Sequence, residues 1–264
     1  MTKIMQTIKI QCPAKINLNL KVTGKLENGF HSIESVMQTI SLYDFLTISV
    51  ADSSKNEIIL SGNSNEIPYD ETNLVYKAVK LYLESENIKN EKISVYIEKN
   101  IPVSAGLAGG STDGAGVLYG LNKIFRKNDK SYIDKLCTKL GSDLNVCLHG
   151  GKILAQGRGE IITPLEFEDF NVSLIKPINL GISAKEAYTK FSQKENTNRN
   201  FVNDLEWALI DDYTQLQHIK QKYPKSIMTG SGSTYFMIDD EFEQEKGYWV
   251  KNGLKAVNFG VKEV

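Results

Sequence analysis

The sequence has few of the residues that build covalent cross-links or metal sites. Its three cysteines, Cys12, Cys137 and Cys147, are odd in number, lie far apart and form no Cys-x-x-Cys pair. Neither a disulfide framework nor a zinc site is expected from them, and we predict buried, inert thiols. The three histidines are equally scattered, so a metal site made of protein imidazoles is not expected either.

Long apolar runs and an excess of charge of one sign are also missing. The 31 basic and 32 acidic residues leave a net charge of -1, so no overall field attracts nucleic acid or an anionic membrane, and we expect neither as a partner. The amino-terminal segment lacks the features of a secretory signal, and no stretch reaches the ~18 apolar residues of a membrane span. We therefore expect a cytoplasmic protein that binds any anionic ligand locally.

The residues that are present indicate a mixed chain with a substantial core, since 41% are hydrophobic and 24% charged. Strand patterns fall at 8–12, 16–22, 45–51, 57–60, 92–98, 152–155, 160–163 and 171–176, and helical patterns at 73–85, 112–126, 131–140, 184–192, 203–212 and 213–221. Residues 225–238 read as strand, glycine turn and strand, and a final helix and strand follow. This order favours an α+β class over an alternating doubly wound sheet. Length permits one or two domains, and we predict a division into 1–160 and 161–264.

A glycine-rich segment between a predicted strand and a predicted helix is the most informative part of the chain. Gly106, Gly109 and Gly110 allow positive φ and let backbone N–H groups converge on an anion. Ser111 and Thr112 add hydroxyls where the following helix begins, and a helix amino terminus favours phosphate. The alternative is a flexible connection with a helix cap, because neither a P-loop nor a dinucleotide-binding pattern is present.

Three further segments carry polar groups or glycines in unusual places. Lys15 and Asn17 interrupt an apolar alternation next to a proline, although a lysine at a strand edge can simply extend to solvent. Asp143 stands at a predicted helix start, where capping is the alternative role. Residues 229–233 form a Gly-Ser-Gly turn between strands, which an ordinary hairpin also explains.

Together, these segments resemble, in order and spacing, the superfamily of galactokinase, homoserine kinase, mevalonate kinase and phosphomevalonate kinase, the GHMP kinases. The resemblance extends over about residues 9–260, and PAKINL at 13–18 with GFH at 29–31 is similar to its members that act on a cytidine-diphosphate-linked sugar alcohol. It implies a two-domain GHMP kinase fold, with an N-terminal ribosomal-protein-S5-domain-2-like domain and a C-terminal ferredoxin-like domain. ATP and Mg²⁺ are the implied cofactors, and the protein is expected to be a monomer or weak homodimer.

The resemblance also implies roles for particular residues. Lys15 and Asp143 match the catalytic lysine and aspartate, and Ser111 and Thr112 are candidates to hold Mg²⁺. The matches to substrate contacts are Asn17, Phe30, His31 and Tyr188. The matches to ATP contacts are Asn73, Leu74, Lys99, Pro102, Val103, Ser104, Ala105, Gly106, Leu107, Ala108, Gly109, Gly110, Ser111 and Thr112.

Several positions depart from the family pattern. Phe30 replaces the usual tyrosine, Asn145 and Cys147 replace a proline and an aromatic residue, and the Gly-Ser-Gly turn at 229–233 is unusually polar. These departures concern substrate selectivity more than chemistry, because Lys15 and Asp143 are both present. The alternatives are a GHMP kinase of another small alcohol, a nucleotide-binding paralogue without catalysis, and a nucleic-acid-binding module, which would need a basic face.

Overall fold

The computed structural model describes residues 6–27, 29–125, 130–195 and 200–264. The strands are β1 (Gln6–Asn17), β2 (Lys21–Lys25), β3 (His31–Asp52), β4 (Glu57–Gly62), β5 (Glu91–Glu98), β6 (Lys152–Gly157), β7 (Ile161–Pro164), β8 (Asn171–Pro177), β9 (Ile227–Met228), β10 (Tyr235–Ile238), β11 (Tyr248–Lys255) and β12 (Lys262–Glu263). The helices are α1 (Leu74–Ser85), α2 (Gly109–Ile124), α3 (Lys130–Leu140), α4 (Leu144–His149), α5 (Ala184–Gln193), α6 (Asp204–Leu209) and α7 (Thr214–Lys222), and a 3-10 turn spans Ile210–Asp212. Within these ranges no helix is long and apolar enough to span a membrane.

The strands form two separate sheets. The first has the order β12-β1-β3-β5-β4, with β2 and β6 paired to the first half of β3, and β7 paired to β6. The second is antiparallel, with the order β11-β8-β10-β9. The α+β class is therefore confirmed. The domain division at residue 160 stays a prediction, and β7 lies with the first sheet.

Helix α2 packs against β1 and β3 more closely than ordinary side chains would allow. A Cβ at Gly116 would lie 2.4 Å from the Cys12 sulfur, and a Cβ at Gly120 would lie 2.4 Å from Ile48 Cδ1. Glycine inside a helix costs about 1 kcal/mol relative to alanine. These two glycines permit the close approach of helix and sheet. The close packing in turn fixes the position of the glycine-rich segment that precedes the helix.

Replacing Gly116 by alanine is expected to destabilise the protein. Overpacking costs about 1–3 kcal/mol, which outweighs the gain in helix propensity of about 1 kcal/mol because the added Cβ would also lie 3.1 Å from Leu46 Cδ1 and Cys12 is 0% exposed. Urea denaturation followed by circular dichroism measures the change in free energy of unfolding. Gly110→Ala is the matched control, because a Cβ there would meet nothing within 4 Å. A Gly116→Ala protein as stable as the wild type would contradict the packing argument.

Most predicted elements match the structure, and two do not. The runs at 45–51, 57–60 and 92–98 lie inside β3, β4 and β5. The single strand predicted over 16–22 is wrong, because β1 ends at Asn17 and β2 begins only at Lys21. The final helix is also wrong within the described residues after 238, since Tyr248–Lys255 instead forms β11 along the edge of β8.

Candidate active site

The segments singled out from the sequence meet in one cleft of about 1200 Å³. The predicted residues that line it are Lys15, Asn17, Phe30, His31, Asn73, Leu74, Lys99, Pro102, Val103, Ser104, Ala105, Gly106, Ala108, Gly109, Gly110, Ser111, Asp143 and Tyr188. Leu107 and Thr112 are the exceptions, with 1% and 0% exposure. Because these two side chains are turned into the core, only their main chains remain as candidates for ligand contact.

Lys15 and Asp143 face each other across this cleft. Lys15 Nζ lies 3.3 Å from Asp143 Oδ2, and the two side chains are 3% and 30% exposed. The register of β1 against β3 shifts between Pro13 and Ala14, which fits the lack of a proline N–H and re-aims the residues that follow. Asp143 occupies the N-cap position of α4, but its side chain makes no cap hydrogen bond to any described residue. Its carboxylate is thus available to the cleft.

The Lys15 ammonium is surrounded by oxygen atoms. It donates to Asn17 Oδ1 at 2.7 Å and to the Gly106 carbonyl at 3.1 Å, in addition to its ion pair with Asp143. An ammonium has three N–H donors, and three acceptors are within reach. The partly exposed Asp143 is the partner on the cleft side, so a substrate bound there would meet the lysine and the aspartate together.

The glycine loop before α2 has the backbone form of an anion site. Ser104, Gly106 and Ala108 have φ values of 50°, 74° and 59°, and such left-handed residues in a turn direct N–H groups into a concave nest. The first N–H groups of the 16-residue helix α2 have no partner within the helix and carry its positive dipole. A Cβ at Gly106 would lie 2.1 Å from the Thr229 carbonyl oxygen. Glycine is therefore required where the loop packs against the turn at 229–232.

A buried charge cluster lies behind this loop. Lys99 donates to Asp44 and, at 3.0 Å, to Asp113 Oδ2, and the lysine side chain is 5% exposed. Asp44 also accepts from the N–H groups of Asn100 and Ile101 at 2.6 and 2.8 Å. Burial raises the pKa of Asp113, although the Lys99 charge opposes the shift. Lys99 thus ties the end of β5 to α2, so its predicted adenine contact would have to use its backbone or methylene groups.

The opposite end of the cleft is aromatic. The Phe30 side chain is 57% exposed. The His31 ring stacks on Tyr188 with centroids 5.0 Å apart and an interplanar angle of 16°, and His31 Nε2 lies 2.9 Å from Ser192 Oγ. Burial, followed by the charge of Lys25, lowers the pKa of His31, which favours the neutral ring. One face of Tyr188, the predicted stacking partner, is thus already covered by His31.

Sequence reasoning did not identify several polar groups at the site. The Arg158 guanidinium lies 5.4 Å from the Phe30 ring centroid and lines the cleft. An arginine between two glycines and two strand patterns is the signal that could have revealed it. Asp113, Asn203 and Thr229 had no such signal, because their role depends on contacts between distant segments.

Comparison with known proteins places this fold in a class. The profile described as GHMP kinases N terminal domain matches residues 73–151. The fold is similar to the crystal structure of homoserine kinase from Cytophaga hutchinsonii (TM-score 0.76, 15% identity, 100% of this chain and 99% of that one). It is also similar to a crystal structure of 4-(cytidine 5'-diphospho)-2C-methyl-D-erythritol kinase (TM-score 0.75, 24% identity, 95% and 100%). The two-sheet architecture with its glycine loop is the GHMP kinase fold.

Sequence relatives narrow the class to one family. A protein of Clostridium tetani named 4-diphosphocytidyl-2-C-methyl-D-erythritol kinase is 40% identical, over 87% of this chain and 90% of the relative. A protein of the same name from Clostridium perfringens (strain SM101) is 38% identical, over 89% of each chain. The chain belongs to the 4-diphosphocytidyl-2-C-methyl-D-erythritol kinase family.

Proposed function

We propose that this protein transfers the γ-phosphate of ATP to the 2-hydroxyl of 4-diphosphocytidyl-2-C-methyl-D-erythritol, a step of the non-mevalonate route to isoprenoid precursors. The observation that carries the proposal is the Lys15–Asp143 pair, 3.3 Å apart in a cleft that the glycine loop also lines. Phosphoryl transfer passes through a loose transition state and needs positioning and charge neutralisation above all. A lysine, a carboxylate and a backbone nest supply these functions.

Asp143 and Lys15 have different parts in this chemistry. A carboxylate is a weak base towards an alcohol. Asp143 therefore orients the acceptor hydroxyl and takes its proton late in the transfer. The Lys15 ammonium stabilises the negative charge on the attacking oxygen and the transferred group, an interaction worth several kcal/mol when water is excluded.

The glycine loop is suited to ATP phosphates, and of the two residues predicted to hold Mg²⁺ beside it, one is suitably placed. Ser111 lines the cleft beside the first N–H groups of α2, so its hydroxyl could hold an ion shared with phosphate oxygens and water. The Thr112 hydroxyl is buried without a hydrogen-bond partner among the described residues, and it does not line the cleft, which makes it a poor candidate. The described residues contain no cluster of three or more acidic, histidine or cysteine ligands. Mg²⁺ would neutralise the phosphate charge and help to position the donor.

The aromatic end of the cleft is suited to a cytosine ring. The Phe30 side chain is largely exposed, and the Arg158 guanidinium lies 5.4 Å from its ring centroid. The neutral His31 ring can exchange hydrogen bonds with a base edge. Arg158 Nε lies 3.5 Å from Glu160 Oε1, and the guanidinium lines the cleft, where its remaining N–H groups could contact a linked diphosphate. Asn17 hydrogen-bonds to Lys15 at 2.7 Å, which makes it a neighbour of the transferred group more than of the base.

Phe30→Ala is expected to raise the KM for the cytidine-linked acceptor roughly tenfold, because base stacking on an aromatic ring is worth about 1–3 kcal/mol. The KM for ATP should remain unchanged. Steady-state kinetics with each substrate varied in turn gives both constants. Tyr96→Ala is the matched control, since Tyr96 is 45% exposed on β5 and does not line the cleft. An equal rise in both KM values, or none, would argue against a cytosine site at Phe30.

An acceptor panel separates this proposal from its alternatives. The purified protein is incubated with ATP and Mg²⁺ and with methylerythritol, its cytidine-diphosphate derivative, mevalonate or homoserine. We expect turnover only with the cytidine-linked compound. Turnover with mevalonate or homoserine would identify another GHMP kinase, and nucleotide binding without any turnover would identify a non-catalytic paralogue. The cytoplasmic location, the monomeric or weakly dimeric state and the lack of nucleic-acid and membrane partners stay predictions.

A further inference from the structure

Thr229, on the turn that follows β9, lies one hydrogen bond away from the partners of Lys15. Its hydroxyl accepts from the Asn17 N–H at 2.9 Å. The same oxygen lies 3.4 Å from Asn17 Oδ1 and 3.3 Å from the Gly106 carbonyl oxygen. These two oxygens are the ones that accept from Lys15 Nζ. One hydroxyl thus contacts both neutral acceptors of the lysine.

The backbone of the turn that carries Thr229 is hydrogen-bonded to the side chain of Asn203. The Asn203 side-chain amide donates to the Met228 carbonyl at 2.7 Å and to the Gly230 carbonyl at 2.8 Å, so it bridges the residues on either side of Thr229. Asn203 and Thr229 are both 0% exposed. In such a site the two donors of one amide fix the backbone of the turn, because an unpaired buried carbonyl is costly.

The segment around Asn203 is itself hydrogen-bonded to the residues at the start of β2, which leads to the aromatic end of the cleft. Leu20 N donates to the Val202 carbonyl at 3.1 Å, and Asp204 N donates to the Leu20 carbonyl at 2.8 Å. The Asp204 carboxylate accepts from Val22 N at 2.9 Å. Residues 202–204 therefore connect the glycine turn of the second sheet to the start of β2 in the first sheet.

We propose that Thr229, held by Asn203, is a positioning residue for the Lys15 ammonium. The inference rests on the proposed kinase function. The threonine hydroxyl accepts from the Asn17 N–H at 2.9 Å and shares its single proton between Asn17 Oδ1 and the Gly106 carbonyl oxygen, at 3.4 and 3.3 Å. These two acceptors direct the third N–H of Lys15 towards Asp143. The second sheet thereby sets the geometry of a lysine that belongs to the first sheet. A small displacement of a group that acts on the transition state lowers turnover without a matching loss of substrate binding.

The test compares Thr229→Val with Thr229→Ser. Valine keeps the shape and removes the hydroxyl, so we expect kcat to fall roughly tenfold or more, while the KM for ATP and for the acceptor changes less than about twofold. Serine keeps the hydroxyl and should restore most of the turnover. Asn203→Asp, which removes both donors to the turn, should lower kcat in the same selective way. If the valine variant does not fold, Thr229→Ala makes the same comparison without the branched side chain.

Thr234→Val is the matched control for a merely structural role. Thr234 belongs to the same hairpin, is 0% exposed, and its hydroxyl has no hydrogen-bond partner among the described residues. Its kcat should equal that of the wild type. Three results would overturn this inference without affecting the proposed function. They are equal losses of kcat in Thr229→Val and Thr234→Val, an unchanged kcat in Thr229→Val, and a kcat in Thr229→Ser as low as in Thr229→Val. A wild type without turnover would overturn the proposed function and this inference with it.

Discussion

Lys15→Ala is expected to lower kcat by about 10²–10³, the usual effect of removing one group that stabilises transition-state charge. The affinity for ATP should change far less, because the proposed phosphate contacts are the N–H groups of the loop backbone and of the amino terminus of α2, which this substitution leaves in place. Steady-state kinetics gives kcat, and a titration with a non-hydrolysable ATP analogue gives the affinity.

A lysine in a carboxylate pair outside the cleft provides the control. Lys190 lies 2.7 Å from Asp212, and Lys190→Ala should retain full turnover, since exposed ion pairs contribute little even to stability. Thermal melting establishes that both variants are folded. A Lys15→Ala enzyme with wild-type kcat would refute the role given to the ammonium.

Asp143→Ala is expected to lower kcat by about 10²–10⁴, the range found for groups that handle a proton in the transition state. Asp143→Asn tests the charge alone, because the amide keeps the size of the side chain but cannot take the proton of the hydroxyl. We expect the two variants to be similarly impaired, with ATP affinity retained. Both variants leave Lys15 with its bonds to Asn17 and Gly106, so they should fold.

A different result would reassign the aspartate. If Asp143→Asn retained most of the turnover, hydrogen bonding by Asp143 would suffice and its charge would be unnecessary. If Asp143→Ala also retained it, Asp143 would have no part in the reaction.

The sequence could predict those parts of the site that depend on local chemistry. Glycines before a helix imply a turn with free N–H groups, and the structure has that turn, with Gly106 and Ala108 at positive φ. Two glycines inside α2, Gly116 and Gly120, lie against Cys12 and Ile48, and a glycine within a helix pattern is a local feature that the printed sequence shows. Local patterns suffice here because each residue type restricts its own backbone or its own contact distance.

Features that depend on contacts between distant segments could not be predicted in this way. Lys99 resembled a nucleotide contact, but the fold places Asp44 and Asp113 around it. The 22-residue strand β3 was recognised only in its second half, because its first half pairs with β2 and β6 and alternates less regularly. The contact of Asn203 with the glycine turn joins residues 25 and 27 positions apart, and no local pattern marks it.

The central claim is that Lys15, Asp143 and the glycine loop form one site that transfers phosphate to a bound alcohol. Phosphorus NMR of the protein with ATP, Mg²⁺ and the cytidine-diphosphate-linked methylerythritol tests it directly. We predict that the γ-phosphate signal of ATP is replaced by a new phosphomonoester signal and by the signals of ADP. Appearance of ADP with inorganic phosphate and no phosphomonoester, or no change at all, would contradict the claim.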